Sequence, residues 1–289
     1  MKWSAITWSV LILLAGGLLA QSQRPVTWKS RLAPRTKELI IFHSTMIGGL
    51  PTTETPGRGA FEFEVTHRFR NALGTGFDNF YGLDFGANTR IALGYVPYPH
   101  LMVALGRSSI FSNFDLWVKY RFLQWRGGPF PGRVALRGGV AWNTKPVVRG
   151  RNRGHPRNFQ YYGQAIFNLA LTPHLALALV PGWLYNVDIR TPDAETATTL
   201  GTGAQFYFAR VWSVWAEAVF TLSGLRDGAN ALTFGLELET GGHFFKIFLS
   251  NSNRPNPSQY LAGAPFHLGD GSLVDNLVFG FTITRLLHF

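Results

Sequence analysis

The sequence predicts an all-β chain: a closed, antiparallel, up-and-down transmembrane β-barrel of about twelve strands, with about fourteen as the alternative count. Three observations predict it. Apolar and polar residues alternate with period 2 from residue 58 to the end. The connections between the alternating segments are by turns short and long. Aromatic residues, 24 Phe, 9 Trp and 9 Tyr in 289 residues, gather towards segment ends. With 46% hydrophobic and 15% charged residues the chain is too apolar for a disordered one. It has no Cys, which excludes disulfide scaffolding and thiolate chemistry. Beyond residue 20 no apolar run approaches the roughly 18 residues of a spanning helix.

The elements follow in order. Lys2, the apolar stretch 8–19 and the small residue Ala20 have the form of a signal peptide, residues 1–20, with Gln21 opening the mature chain. No Cys follows to carry a lipid anchor. Residues 21–57 contain the apolar run Leu39, Ile40, Ile41 and Phe42, then a stretch rich in Gly, Pro and Thr. Three readings stay open for this segment: an extra strand, a periplasmic tether, or a piece lodged in the lumen. The barrel takes residues 58–289. Its first strand sets Phe61, Phe63, Val65 and Phe69 against Glu62, Glu64, Thr66 and Arg68. The second sets Ile91, Leu93 and Tyr95 against Asp84, Asn88 and Arg90, and a short one follows near 101–107. Then Phe114, Leu116, Val118, Tyr120 and Phe122 interleave with Asp115, Trp117, Lys119 and Arg121. Val134, Leu136, Val140 and Trp142 interleave with Arg133, Arg137 and Asn143. Segments 159–171, 175–189, 200–208, 212–220, 232–238, 245–249 and 277–289 continue the pattern. Most are about 9 to 13 residues long, enough for a tilted strand to cross a bilayer.

A soluble sandwich also alternates, so the connections decide. Residues 96–100, 172–174, 209–210 and 241–242 make short turns, with 124–132 somewhat longer. Between them lie the polar loops 71–81, 144–158, 190–199, 223–230 and 250–275, and a brief one at 109–112. Short turns on one rim and long loops on the other is the asymmetry of outer-membrane barrels, and an even strand count puts both chain ends on the short-turn, periplasmic rim. Tyr95, Tyr98, Trp125, Phe208 and Trp212 then girdle one rim, and Phe69, Tyr81, Phe111, Trp142, Tyr161, Trp183 and Tyr185 the other. The terminal Phe289, in phase with Leu277, Phe279, Phe281, Ile283 and Leu287, has the form of the signal read by the barrel-assembly machinery.

The polar faces would line an enclosed lumen. In the first hairpin a register that pairs Arg68 with Asp84 also pairs Glu62 with Arg90, and Glu237 falls opposite Lys246 across the 241–242 turn. Such cross-strand pairs contribute about 0.2–1 kcal/mol each. Lys119, Arg121, Arg133 and Arg137 form a basic stripe on one wall, which favours anions. The leading functional expectation is a narrow channel for small solutes, anions among them. One alternative is a scaffold docking a periplasmic or surface partner such as a redox protein; a plugged lumen would favour it. A second is an enzyme at the outer rim, where Asp188, His155, Asp227, His267 and Ser272 fall. No nucleophile elbow, phosphate-cradling glycine motif or metal-type His spacing occurs, so an enzyme, a cofactor and a metal site are not expected. The basic loop with Arg149, Arg151, Arg153 and Arg157 faces outer-leaflet lipid phosphates or an acidic protein rather than nucleic acid.

Several segments resemble an uncharacterised outer-membrane β-barrel family, a domain of unknown function of the type met in Bacteroidota. They are Phe42-His-Ser-Thr45, Thr66-His-Arg-Phe69, Asn79-Phe-Tyr-Gly-Leu-Asp84, Gly106-Arg-Ser-Ser109, Asp115, Lys119-Tyr-Arg121 and the C-terminal strand. The resemblance implies a barrel in the bacterial outer membrane and no established activity. Arg70 stands where that family usually has Gly, which implies a different first outer loop.

Overall fold

The computed structural model describes residues 39–145 and 147–287. The signal-peptide segment 1–20 and the terminal Phe289 lie outside the described residues. Twelve strands follow in chain order: β1 (Phe61–Phe69), β2 (Ala87–Tyr98), β3 (Leu101–Ser108), β4 (Asn113–Trp125), β5 (Gly132–Asn143) and β6 (Phe159–Ala170). Then come β7 (Leu175–Tyr185), β8 (Thr196–Tyr207), β9 (Trp212–Gly224), β10 (Ala231–Glu239), β11 (His243–Ser250) and β12 (Val278–Leu287). Each strand pairs antiparallel with its neighbours in sequence, and β1 pairs with β12 to close the barrel. Closure leaves no sheet edge, which hydrocarbon could not satisfy. No described helix is long and apolar enough to cross a membrane; the strands do the crossing.

Burial separates this from a soluble sandwich. Leu93, Leu105, Leu136 and Ile247 are 49–56% exposed, while Arg133, Lys119 and Asp115 are fully buried. Water-soluble folds arrange these residue types the other way round. The apolar outer face needs lipid, and the polar face lines an interior.

The first hairpin corrects one expectation. Arg68 lies opposite Asn88, four residues past Asp84, and Glu62 lies opposite Gly94 rather than Arg90. The chain between the strands winds into 3-10 turns, Leu73–Thr75 and Phe77–Phe85, and Gly86 takes a positive φ of 74°. Asp84 is therefore part of the outer loop, and β2 begins only at Ala87. A slip of an even number of residues leaves every side chain on its face, so alternation cannot detect it. Likewise the seventh strand stops at Tyr185 rather than 189, because Asn186 turns the chain with a φ of 63°.

Candidate functional site

The lumen is filled, from both ends. From the short-turn rim, residues 39–57 enter as a hairpin. Leu39 N–H reaches the Gln124 side chain at the end of β4. The chain climbs to a turn at residues 47–50, closed by Ile47 N–H to the Leu50 carbonyl at 2.8 Å and by the Met46–Pro51 bridge. It then descends to β1.

The hairpin is apolar on its flanks and held by charge on its backbone. Ile41, Phe42, Ile47 and Leu50 are fully buried in one cluster with wall residues such as Ile166, Val180 and Leu184. Gly201 and Gly203 make the room: a Cβ at Gly201 would sit 2.7 Å from Leu50, and one at Gly203 2.5 Å from Ile47. Lys119 Nζ donates to the Thr52 and Glu54 carbonyls at 3.0 and 2.6 Å and more distantly to that of Thr45. Lys246 Nζ donates to the Ile47 carbonyl at 2.6 Å, to Ser44 Oγ at 2.7 Å and to the Met46 carbonyl. The Glu217 carboxylate accepts the N–H groups of Gly48, Gly49 and Leu50 at 2.5–3.0 Å. Arg133 closes on the hairpin's Glu54 at 2.6 Å, and Glu62 accepts from Thr45 Oγ1 at 2.8 Å.

From the long-loop rim, the β11–β12 connection folds inward. It carries one short helix, α1 (Pro257–Leu261), every residue of which is buried. Asn256 caps it by accepting from Ser258 N–H, and Pro257 supplies the first helical position. The insert's own neutral side chains help to hold it, Ser258 Oγ to Gln160 at 2.9 Å, Asn256 to Asn113, and the Asn251 amide to the Asn230 and Phe266 carbonyls, beside the Arg254–Asp227 ion pair at 3.1 Å and Arg68 to the Ser252 carbonyl at 2.9 Å.

The two inserts meet at Glu217. Tyr260 of α1 donates its hydroxyl to Glu217 Oε1 at 2.8 Å, beside the hairpin's three N–H groups. The tip must be glycine there. A Cβ on Gly49 would stand 2.5 Å from the Tyr260 ring, and one on Gly48 2.6 Å from Trp215. Near the tip, between Met46, Trp117 and Arg137, about 10 Å³ remains, the room of a single water.

The residues singled out in the sequence fall as follows. Lys119 and Arg137 face each other across β4 and β5, with Arg121 and Arg133 on the same buried wall. Each is occupied: Arg137 stacks over Trp117 and Tyr162, and Arg121 reaches His100 and Gln124. Arg68 lies between the Phe248 and Tyr260 rings and donates to the Ser252 carbonyl. Arg90 holds two carboxylates, Glu64 at 2.7 Å and Asp115 at 2.6 Å. Lys246 lies opposite Glu237 and 3.1 Å from its carboxylate. In the basic loop, Arg151 and Arg157 turn inward to carbonyls of residues 188–193, whereas Arg149 and Arg153 are exposed. Phe111 lines an outer cavity instead of joining the lipid-facing girdle. Of the rim residues weighed for catalysis, Asp188 and Asp227 meet on Arg190, whereas His155 accepts from Arg157 N–H and Ser272 caps a turn with Asp275. The sequence analysis did not single out Glu217, the junction of the two inserts. Gly48-Gly49 after an apolar run was the available signal.

Residues 42–287 match the family model described as membrane-bound beta barrel domain (DUF5777), and the chain belongs to that family. The match begins at Phe42, so the hairpin belongs to the family's domain together with the barrel. The protein is a membrane-bound, closed β-barrel of twelve strands. Among solved structures, it is similar to the NanC porin, with TM-score 0.47 and 8% identity over 79% of this chain and 99% of that one. An outer membrane channel from Pseudomonas putida F1 gives TM-score 0.44 and 13% identity over 81% and 98%. The KdgM porin gives 0.44 and 8% over 80% and 99%. No curated protein matches.

Proposed function

We propose that the protein is a gated outer-membrane channel for small solutes, held shut by the hairpin of residues 39–57 together with the β11–β12 insert. The observation that carries this reading is the way the hairpin is held. Lys119, Lys246 and Glu217 bind its main-chain carbonyls and N–H groups, and water can replace each of these bonds. A permanent core would gain as much from apolar side chains, because replacing buried ionic groups by hydrophobic ones is often neutral or stabilising. A wall of charges that loses its ligands to an entering aqueous column suits a segment that leaves. With the hairpin out, Lys119, Arg121, Arg133 and Arg137 would line one wall and favour anions.

The second reading is a scaffold that docks a periplasmic or surface partner. The filled lumen favours it, and so does the fit of Leu50 and Ile47 over Gly201 and Gly203, since that packing suits a fixed hairpin. Planar-bilayer recording separates the two. The background has no Cys, so Thr53→Cys with Asn168→Cys, whose parent side chains are hydrogen-bonded at 2.8 Å, locks hairpin to wall on oxidation. A channel shows openings that vanish when the pair is oxidised and return on reduction, and it conducts continuously when residues 39–57 are deleted and the β11–β12 insert is shortened. Silence of the reduced pair, the parent chain and the deletion alike would remove the channel reading and leave the scaffold.

A further inference from the structure

We propose that the long-loop rim of β3 to β6 docks a phosphorylated lipid of the surrounding leaflet, with Arg107, Arg149 and Arg153 meeting its phosphates. Such docking shares the outer-membrane setting with the channel reading and needs no conduction.

The surface starts from strand register. Arg107 pairs with Phe114, Phe114 with Trp142, and Trp142 with Phe159, so one row crosses four successive strands. Each member lies no more than one residue from its strand's long-loop end. The members touch: the Arg107 guanidinium lies 5.1 Å from the Phe114 ring centre, and Trp142 stacks on Phe159 at 5.9 Å. Phe114 and Trp142 are 37% and 36% exposed on the outward, apolar face. Aromatic side chains at strand ends mark the depth of the lipid headgroups. Arg107, an exposed cation in that row, stands at phosphate level.

The β5–β6 connection leans over the same row. The Trp142 indole N–H donates to the Arg153 carbonyl at 2.9 Å. Trp142 faces outward, so residue 153 is held on the lipid side of the wall rather than over the lumen. The base of the loop is tied to the β3–β4 turn, through Lys145 N–H to the Phe111 carbonyl and Thr144 Oγ1 to the Ser112 carbonyl.

The charge held there is unspent. Residues 144–158 carry five basic residues and no acidic one. Arg151 and Arg157 are taken up by carbonyls of residues 188–193. Arg107, Arg149 and Arg153 are exposed, and none of the three has an ion pair or a side-chain hydrogen bond among the described residues. A guanidinium offers paired N–H groups that match phosphate oxygens, and basic groups at a bilayer surface attract anionic headgroups. Cations beside an outward aromatic row repeat the order of a lipid, phosphate next to hydrocarbon. An acidic protein would match the cations alone.

The chain has no Cys, so Gly154→Cys beside Arg153 supplies a single thiol, and a Cβ there meets nothing nearer than 3.8 Å. The folded full chain is placed in phosphatidylcholine nanodiscs and labelled with a water-soluble maleimide. Bis-phosphorylated lipid A in the bilayer should slow labelling several-fold, and its dephosphorylated form should not. Combined Arg107→Gln, Arg149→Gln and Arg153→Gln should abolish the slowing; the three side chains are exposed, so the barrel's packing is untouched. Equal labelling in all three bilayers overturns the docking, as does slowing that survives the triple substitution. Equal slowing by inorganic phosphate or by polyglutamate in plain phosphatidylcholine also overturns it, and assigns the cations to a soluble anion or an acidic protein.

Discussion

The two inserts that fill the lumen are anchored in opposite ways. On the hairpin of residues 39–57 the anchors belong chiefly to the wall, whose Lys119, Lys246 and Glu217 grip main-chain atoms. On the β11–β12 insert the insert brings much of its own anchoring, through the amides and hydroxyls of Asn251, Asn256 and Ser258. The first arrangement depends chiefly on strand residues. The second depends on the insert's own sequence. Charge on the wall also costs more desolvation than neutral amides do, so it is a weaker reason for permanence and a stronger one for movement.

That contrast can be broken by mutation. Glu217→Ala should have the largest effect. It orphans three N–H groups at once and takes one of two partners from the Tyr260 hydroxyl, and truncating one side of a buried charged contact costs about 3–5 kcal/mol. Urea unfolding in lipid vesicles measures it, and a loss below about 1 kcal/mol would show that the junction is not where the inserts are held. Lys119→Met comes next. Its carbonyl partners lose their donor, at about 1–3 kcal/mol for a buried group left unpaired. Limited proteolysis should then cut residues 39–57 several-fold faster while the β11–β12 insert keeps its protection. Asn256→Ala should do the reverse at about 1 kcal/mol, the usual worth of an N-cap, exposing residues 251–277 and leaving the hairpin protected.

The smallest effect is expected from acid at the outer rim. Partial burial pushes the Asp188 carboxyl up, but hydrogen bonds from the Arg190 side chain and N–H outweigh it and hold the carboxyl below its usual value. A carboxyl depressed in the folded state contributes stability above its unfolded pKa of about 3.9, and that stability is lost as pH falls through the folded value. Hydrogen exchange in the loop after β7 should therefore be flat from about pH 7 to 5, after correction for intrinsic rates, and rise only below about pH 4. Asp188→Asn should bring the faster, acid-like exchange to neutral pH while the hairpin stays unchanged.

Much of this was legible in the sequence, for reasons that differ by element. Strand identity and facing were, because Phe61, Glu62, Phe63 and Glu64 can satisfy lipid and lumen together only as a strand. The Glu237–Lys246 pairing was, because the Gly241-Gly242 turn is short enough to fix register. The Arg68 pairing was not, because a long loop absorbs an even slip without moving any side chain to the other face. The basic stripe was visible as residues, but its partners were not. Lys119 is bound to carbonyls, which every residue carries, so no side-chain pattern marks them.

By itself the sequence determined a closed membrane barrel with a polar interior, because period-2 alternation over bilayer-length segments leaves the chain few other ways to satisfy both faces. Only the tertiary structure decided that the interior is occupied, which segments occupy it, and that they meet on Glu217. Those facts rest on main-chain hydrogen bonds and on room left by inward-facing glycines, between residues as far apart as 200 positions in the chain. Local patterning carries no record of such distances.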